Sequence, residues 1–232
     1  MIRGCRCCAA TGPDGRHRLW ARASLNLGAL ELRTGNFNSA ARALDEALRL
    51  SADVQQTELQ LISTFNLGHL AREMGDLRRA SDTFELTVEL ADRIGQSEVE
   101  AGALACMALC QLALGDVAAA RRLSERLVPL VATQSDWFQG REVVEAVAIH
   151  LALIDGKDEA CELFERALAM AEARDAYGAS WLIAQFGVAL RERVPHTIDA
   201  AIRRFAHRPE VLENPLIREQ FGVLMLDSAK AR

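Results

Sequence analysis

A forty-residue period runs along most of the 232-residue chain. It is marked by Gly35, Gly75 and Gly115, with Asp155 and Gly156 at the fourth place. A period of this length is typical of proteins in which each repeat is one small unit that buries its apolar face against its neighbours. The period therefore predicts a stacked array of repeats rather than a single closed core.

The residues within each period predict a helix–turn–helix unit. A glycine adopts the left-handed conformation that ends a first helix without steric cost. The Asn or Asp that follows it is a good N-cap for a second helix. A small residue seven positions before each marker lets the two helices approach closely, and these small residues are Gly28, Gly68, Ala108 and Ala148.

Each second helix carries an alanine and, one turn later, a position for a large apolar residue. We expect the alanine to pack against the first helix and the large side chain to fill the core. The large residues are Leu44, Phe84 and Phe164, and Ser124 is the exception. In that third repeat we expect Leu123 and Leu127 to fill the core instead.

The composition agrees with helices and excludes some functions. Ala, Leu, Glu and Arg dominate, and these residues lose little freedom in a helix. The net charge of −5 weighs against a nucleic-acid-binding surface. No apolar run approaches the roughly 18 residues of a transmembrane helix, and residues 1–10 lack the apolar segment of a signal peptide. Three of the six cysteines lie inside helical patterns, which fits a reducing compartment. We therefore expect a cytoplasmic protein that binds neither nucleic acid nor a membrane.

The predicted fold class is all-α, an α-α superhelix of about five helix-turn-helix repeats with a C-terminal capping helix. A flexible basic tail is expected to precede it, and its cysteines Cys5, Cys7 and Cys8 match no common zinc spacing. The expected tail covers residues 1–17, the repeats about 18–53, 54–94, 97–134, 137–174 and 176–207, and the capping helix 209–232.

The order Asn-Leu-Gly, Gly-Asp/Asn, Ala and Phe/Leu resembles the tetratricopeptide repeat. It is similar to the longer variety found in kinesin light chains and in sensor regions of bacterial signalling regulators. The resemblance covers about residues 20–173, and a degenerate fifth repeat runs from Phe186-Gly187 to Phe205. Among the departures, the usual aromatic residue of the first helix is replaced by Glu31, Ala71, Gln111 and Leu151. The resemblance implies a concave surface, lined by the first helices, that binds another protein or a peptide.

A polar stripe on the first helices of repeats 1 and 2 is the candidate site that the resemblance implies. Asn26 and Asn66 hold the same repeat position, and an amide both donates to and accepts from a peptide backbone. Arginine supplies a bidentate contact to a carboxylate. The expected partner-binding residues are Arg22, Asn26, Arg33, Asn66, His69 and Arg72. The alternative is that the asparagines only tie neighbouring helices together.

The same stripe becomes apolar in repeats 3 and 4. It either receives hydrophobic side chains of a partner or packs under other helices or a dimer mate. The residues at these positions are Gly102, Cys106, Leu109, Glu142, Ala146 and Ile149. The three tryptophans fall near predicted helix starts, and we expect them to pack between repeats.

Motifs for catalysis are absent from the sequence: it has no phosphate-binding glycine loop, no His-Glu-x-x-His and no Gly-x-Ser-x-Gly. Cys106 and Cys110 lie one turn apart without a third ligand at a suitable spacing, and buried helical cysteines behave as small apolar residues. We therefore expect no enzyme activity, no cofactor and no metal.

The predicted function is that of a protein- or peptide-binding scaffold or adaptor. The alternative is a peptide- or protein-sensing module of a bacterial transcriptional or signalling regulator. The apolar residues of the last helix, Phe221 and Val223 to Leu226, either fold back on the fifth repeat or form a homodimer seam.

Overall fold

A computed structural model of the chain describes residues 13–53, 55–132, 141–174 and 176–230. Every regular element within these ranges is an α-helix. The helices are α1 Pro13–Arg33, α2 Phe37–Asp53, α3 Thr57–Glu73, α4 Leu77–Ile94, α5 Ser97–Ala113, α6 Val117–Ala132, α7 Arg141–Ile154, α8 Glu159–Arg174, α9 Ala176–Leu190, α10 Pro195–Phe205, α11 Pro209–Glu213 and α12 Pro215–Lys230. The predicted all-α class and the succession of helix pairs are confirmed.

The first eight helices form the four pairs that the period predicts. The start of α1 differs from the prediction, because this helix begins at Pro13 rather than near residue 18. Proline favours the first turn of a helix, where its missing N–H is not needed. Residues 13–17, predicted as part of a flexible tail, are therefore helical. The cysteine cluster predicted in that tail lies outside the described residues.

The marker glycines end the first helices in the left-handed conformation, as predicted. Their φ angles are +77° at Gly35, +82° at Gly75 and +85° at Gly115. In the fourth repeat Gly156 takes this conformation, with φ of +66°, and Asp155 does not. The period is therefore displaced by one residue at that turn.

Aspartates begin two of the second helices. The Asp76 side chain accepts a hydrogen bond of 3.2 Å from the Arg79 backbone N–H. The Asp116 side chain accepts one of 2.8 Å from the Ala119 backbone N–H. Each bond satisfies a donor that the first turn of a helix leaves without a partner, which confirms the predicted N-caps.

The small residues of the first helices hold the pairs at close range. A Cβ atom added to Gly28 would lie 2.6 Å from Leu44, and one added to Gly68 would lie 2.6 Å from the Phe84 ring. In the third repeat Leu127 is buried, as predicted, whereas Leu123 is only half-buried.

In the fifth repeat, the small residue of the first helix contacts a different helix from the one contacted in the first two repeats. A Cβ atom on Gly187 of α9 would lie 2.8 Å from Leu224 of α12, so the last helix packs against the small residue. Phe221 and Leu224 are buried in one cluster with Phe205 of α10. The last helix therefore folds back on α9 and α10, and the dimer seam stays a prediction.

A buried asparagine begins the last helix. The Oδ1 atom of Asn214 accepts hydrogen bonds from the backbone N–H groups of Leu216, at 3.0 Å, and Ile217, at 3.1 Å. The short helix α11 that precedes it was not predicted. Its five residues are too few to give a periodic apolar pattern.

The tryptophans differ in environment. Trp181 is buried in the core of α9, as predicted. Trp20 is 65% exposed on α1, so the prediction that it packs between repeats was wrong for that residue. Trp137 lies outside the described residues.

The chain divides into two compact units. One contains Met1–Leu32 and Asn36–Ala103, and the other contains Arg33–Gly35 and Leu104–Arg232. Among the described helices, none has both the length and the apolar character that crossing a membrane requires.

Candidate functional site

The predicted stripe is open to solvent in the first repeat. Arg22 and Asn26 are exposed side chains of α1, so both can contact a partner. Arg33 is exposed as well, and its guanidinium carbon lies 4.4 Å from the centre of the Tyr177 ring within the second unit. This cation–π contact holds the arginine side chain in place while its edge stays accessible.

The equivalent residues of the second repeat are half-buried and already hydrogen-bonded. The Asn66 side-chain amide donates a 2.9 Å hydrogen bond to the Ile62 carbonyl of its own helix. Arg72 donates a 2.8 Å hydrogen bond to the carboxylate of Glu73. Some of the hydrogen-bonding groups that were predicted to bind a partner are therefore already bonded within α3.

His69 lies against two aromatic rings. Its ring centre is 4.6 Å from that of Phe65 and 5.3 Å from that of Phe84, both in edge-to-face geometry. Burial is the main cause that lowers the pKa of His69 to about 3, and the positive charge of Arg72 contributes. At neutral pH this side chain is an uncharged imidazole, which can take part in hydrogen bonds without adding charge.

The low pKa of His69 makes stability depend on pH. The unfolded chain binds a proton near the ordinary histidine pKa of about 6.5, and the folded chain does so only near pH 3. Stability is therefore lost as pH falls through this window, by about 2 kcal/mol between pH 7 and pH 5 from this residue. Urea unfolding at both pH values measures the loss.

The His69→Gln variant is the matched control for this pH dependence. Burial also lowers the pKa of His150, so the variant should keep a smaller loss of the same sign. An equal loss in the variant and the wild-type chain would contradict the assignment to His69.

The apolar half of the stripe is buried. Gly102, Cys106, Ala146 and Ile149 are inaccessible to solvent or nearly so, and Leu109 packs against the core of the second unit. The expectation that these residues receive side chains of a partner is therefore wrong. They pack under neighbouring helices, which is the alternative that the pattern left open.

A cavity of about 540 Å³ opens between α7 and α8, and Glu142 of the predicted stripe is among its lining residues. Its charged lining residues form ion pairs. Glu145 is almost fully buried and contacts Arg141 at 2.9 Å and Arg166 at 3.3 Å. A second pair joins Glu142 to Arg174. The remaining lining is apolar and consists of Ala167, Ala169, Met170, Ala171 and Ala173.

This cavity combines an apolar floor with an Arg/Glu rim, and its volume is typical of ligand pockets. It can take an apolar side chain, and its arginines are already paired with Glu142 and Glu145. One sequence signal could have found it. The positions that correspond to Glu145 in the earlier repeats are Leu25, Phe65 and Ala105, so an acidic residue replaces an apolar one in the fourth period.

Across the ranges that the structure describes, no three His, Cys, Asp or Glu side chains are grouped so that they could hold a metal ion. Cys106 and Cys110 are buried within α5.

Comparisons with known proteins bear on the first half of the chain. A comparison with curated proteins finds no significant match. The family model described as tetratricopeptide repeat matches residues 19–93. This range holds most of α1, all of α2 and α3, and all but the last residue of α4. The pairs α5/α6 and α7/α8 continue the spacing of about forty residues, with a left-handed glycine turn at Gly115 and, one residue late, at Gly156. The matched segment and the consecutive helix pairs fit a repeat protein of the tetratricopeptide type.

Proposed function

We propose that this protein is a cytoplasmic scaffold or adaptor that binds a protein or peptide along the first helices of repeats 1 and 2. Tetratricopeptide repeats are in general protein-interaction modules. The observation that carries the proposal is the exposure of Arg22 and Asn26, since both point a polar group to solvent where repeat arrays line an extended binding surface.

Each side chain has a separate role in recognising the partner. The Asn26 amide donates to and accepts from the backbone of an extended peptide, independently of its sequence. Arg22 contacts a carboxylate of the partner through its guanidinium group, and Arg33 offers a guanidinium edge of its own. Asn66, His69 and Arg72 form the less accessible end, where His69 adds no charge and the Arg72–Glu73 pair fixes the local geometry.

The double substitution Asn26→Ala/Asn66→Ala should weaken partner binding by at least about tenfold, because backbone hydrogen bonds are lost at two repeats. The measurement is affinity capture of a native lysate on the immobilised chain, with identification of bound proteins by mass spectrometry. The affinity is then measured with the purified partner.

Asn38→Ala is the matched control, since Asn38 is an exposed asparagine on the second helix of the first pair. It should leave binding unchanged, and both variants should keep wild-type helicity and melting. A partner retained by the double variant would contradict the stripe as the site. Loss of that partner in a Glu145→Gln variant would then place binding at the cavity.

A homodimer through α12 is part of the proposal. Leu216, Val223 and Leu226 share one face of this helix, seven and three residues apart, and all are exposed. We expect light scattering to give twice the mass of one chain, and Leu226→Glu to return it to the monomer mass. A wild-type chain that is monomeric at every concentration tested would contradict the dimer.

A further inference from the structure

The polar stripe on α1 extends one helical turn beyond the residues that were predicted for it. Arg18, Arg22 and Asn26 follow one another at intervals of four residues, which places them on one side of the helix. All three side chains are exposed. Each interval carries the stripe about 6 Å along the helix axis. Arg18 was not predicted as part of the site, and it places a second positive charge beside that of Arg22.

The stability of α1 does not explain this pair of arginines. Like charges four residues apart on a helix destabilise it. Among the residues that the structure describes, neither Arg18 nor Arg22 forms an ion pair. The sequence of residues 13–30 contains three arginines and one acidic residue, Asp14. An anionic group bound beside the two arginines would remove their repulsion.

The repeat does not require positive charge at these positions either. Forty residues on, Glu58 and Ile62 of α3 hold the positions of Arg18 and Arg22. Eighty residues on, Glu98 of α5 holds the position of Arg18, and both glutamates are exposed. A partner's carboxylate is therefore attracted to the stripe on α1 and repelled at the equivalent position of α3.

We propose, on the basis of the proposed function, that Arg18 and Arg22 select a partner segment with acidic residues at alternate positions, Glu-x-Glu, in an extended conformation. Alternate side chains of an extended chain point to the same side and lie about 6.7 Å apart. This distance matches the one helical turn between Arg18 and Arg22. Each guanidinium group forms charge-assisted hydrogen bonds with one of the two carboxylates.

Asn26 favours an extended segment over a helical one. The backbone N–H and C=O groups of a helix are bonded within that helix, so the Asn26 amide cannot pair with them. The backbone groups of an extended segment remain open to both the donor and the acceptor of the amide. A long polyanion such as nucleic acid fits poorly, because Glu58 repels the charges that reach α3.

The test uses short synthetic peptides of Ala and Ser, blocked at both ends, that differ in two residues. The acidic probe has Glu at alternate positions, the neutral probe has Gln there, and the basic probe has Lys. A spacing probe has two adjacent Glu residues. Fluorescence anisotropy with the full chain should show the acidic probe binding at least about tenfold more tightly than the neutral and basic probes. It should bind about threefold more tightly than the spacing probe.

Variants of the chain locate the binding. Arg18→Glu/Arg22→Glu should reverse the preference, so that the basic probe binds more tightly than the acidic one. Arg78→Glu/Arg79→Glu makes the same change of charge at two exposed arginines of α4 and should keep the wild-type preference. Arg18→Gln alone should weaken the acidic probe about three- to fivefold and leave the neutral probe unchanged.

Several outcomes overturn the proposal. They are no binding of the acidic probe, equal binding of the acidic and spacing probes, or an unchanged preference in Arg18→Glu/Arg22→Glu. A further arm uses the neutral probe with a free C-terminal carboxylate. If that probe binds as tightly as the blocked acidic probe, the stripe recognises a chain end, which contradicts selection of an acidic pair.

Failure of the proposed function gives a different result. A captured partner that Asn26→Ala/Asn66→Ala retains would contradict the stripe as the binding site. A partner that is lost in that variant but binds Arg18→Gln as it binds the wild-type chain would leave the proposed function intact and overturn the role of Arg18. Circular dichroism confirms that each variant is folded.

Discussion

Replacing Phe186 with alanine should lower the free energy of unfolding by about 3–5 kcal/mol, the cost of truncating a fully buried aromatic side chain. Phe186 is inaccessible to solvent. Its ring centre lies 4.7 Å from that of His150 and 6.3 Å from that of Phe164. The substitution thus leaves a cavity where α7, α8 and α9 meet.

Urea unfolding followed by the fluorescence of Trp181, which is buried in the same cluster, measures this loss. The matched control is Val188→Ala, two residues further along α9 at a side chain that is 48% exposed. We expect the control to change stability by no more than about 0.5 kcal/mol. Similar losses in both variants would contradict the assignment of Phe186 to the core.

Gly68→Val should lower the free energy of unfolding by about 2–3 kcal/mol, because it forces a branched side chain into a filled contact. Even a Cβ atom at this position would lie 2.6–3.0 Å from three atoms of the Phe84 ring. That ring is fully buried and touches Phe65 and His69, so it has little room to move away.

Gly222→Ala provides the opposite control for this prediction. Gly222 lies inside α12 with no neighbouring atom within 4 Å of an added Cβ. Alanine there should raise stability by about 0.5–1 kcal/mol, since glycine costs more conformational entropy in a helix. Denaturant unfolding followed by circular dichroism measures both variants. A neutral or stabilising Gly68→Val would contradict the close approach of α3 and α4.

Sequence periodicity predicted the parts of the fold that depend on local rules. The left-handed turn at Gly75 and the N-cap at Asp76 each follow from one or two residues and their backbone requirements. The close helix approach at Gly68 and the burial of Phe84 were predicted because both positions recur in the same register. Because these features recur in each period, finding them in one repeat strengthens their prediction in the next.

Features that depend on contacts distant in sequence were not predicted. Gly187 packs against Leu224, which lies far outside the repeat register, and no period indicates that partner. The burial of Cys106 and Ile149 likewise depends on which helices cover the stripe. For the candidate site, the position of Asn66 followed from the repeat, but its hydrogen bond to Ile62 is a choice of rotamer. The sequence carries no direct sign of that choice.

The claim that partners bind along the first helices of repeats 1 and 2 is tested most directly by hydrogen–deuterium exchange with mass spectrometry. The chain is compared with and without its captured partner. We predict slower exchange in segments 22–33 of α1 and 62–72 of α3, with the second helices α2 and α4 unchanged. Protection confined to α7 and α8, or to no part of α1 and α3, would contradict the account.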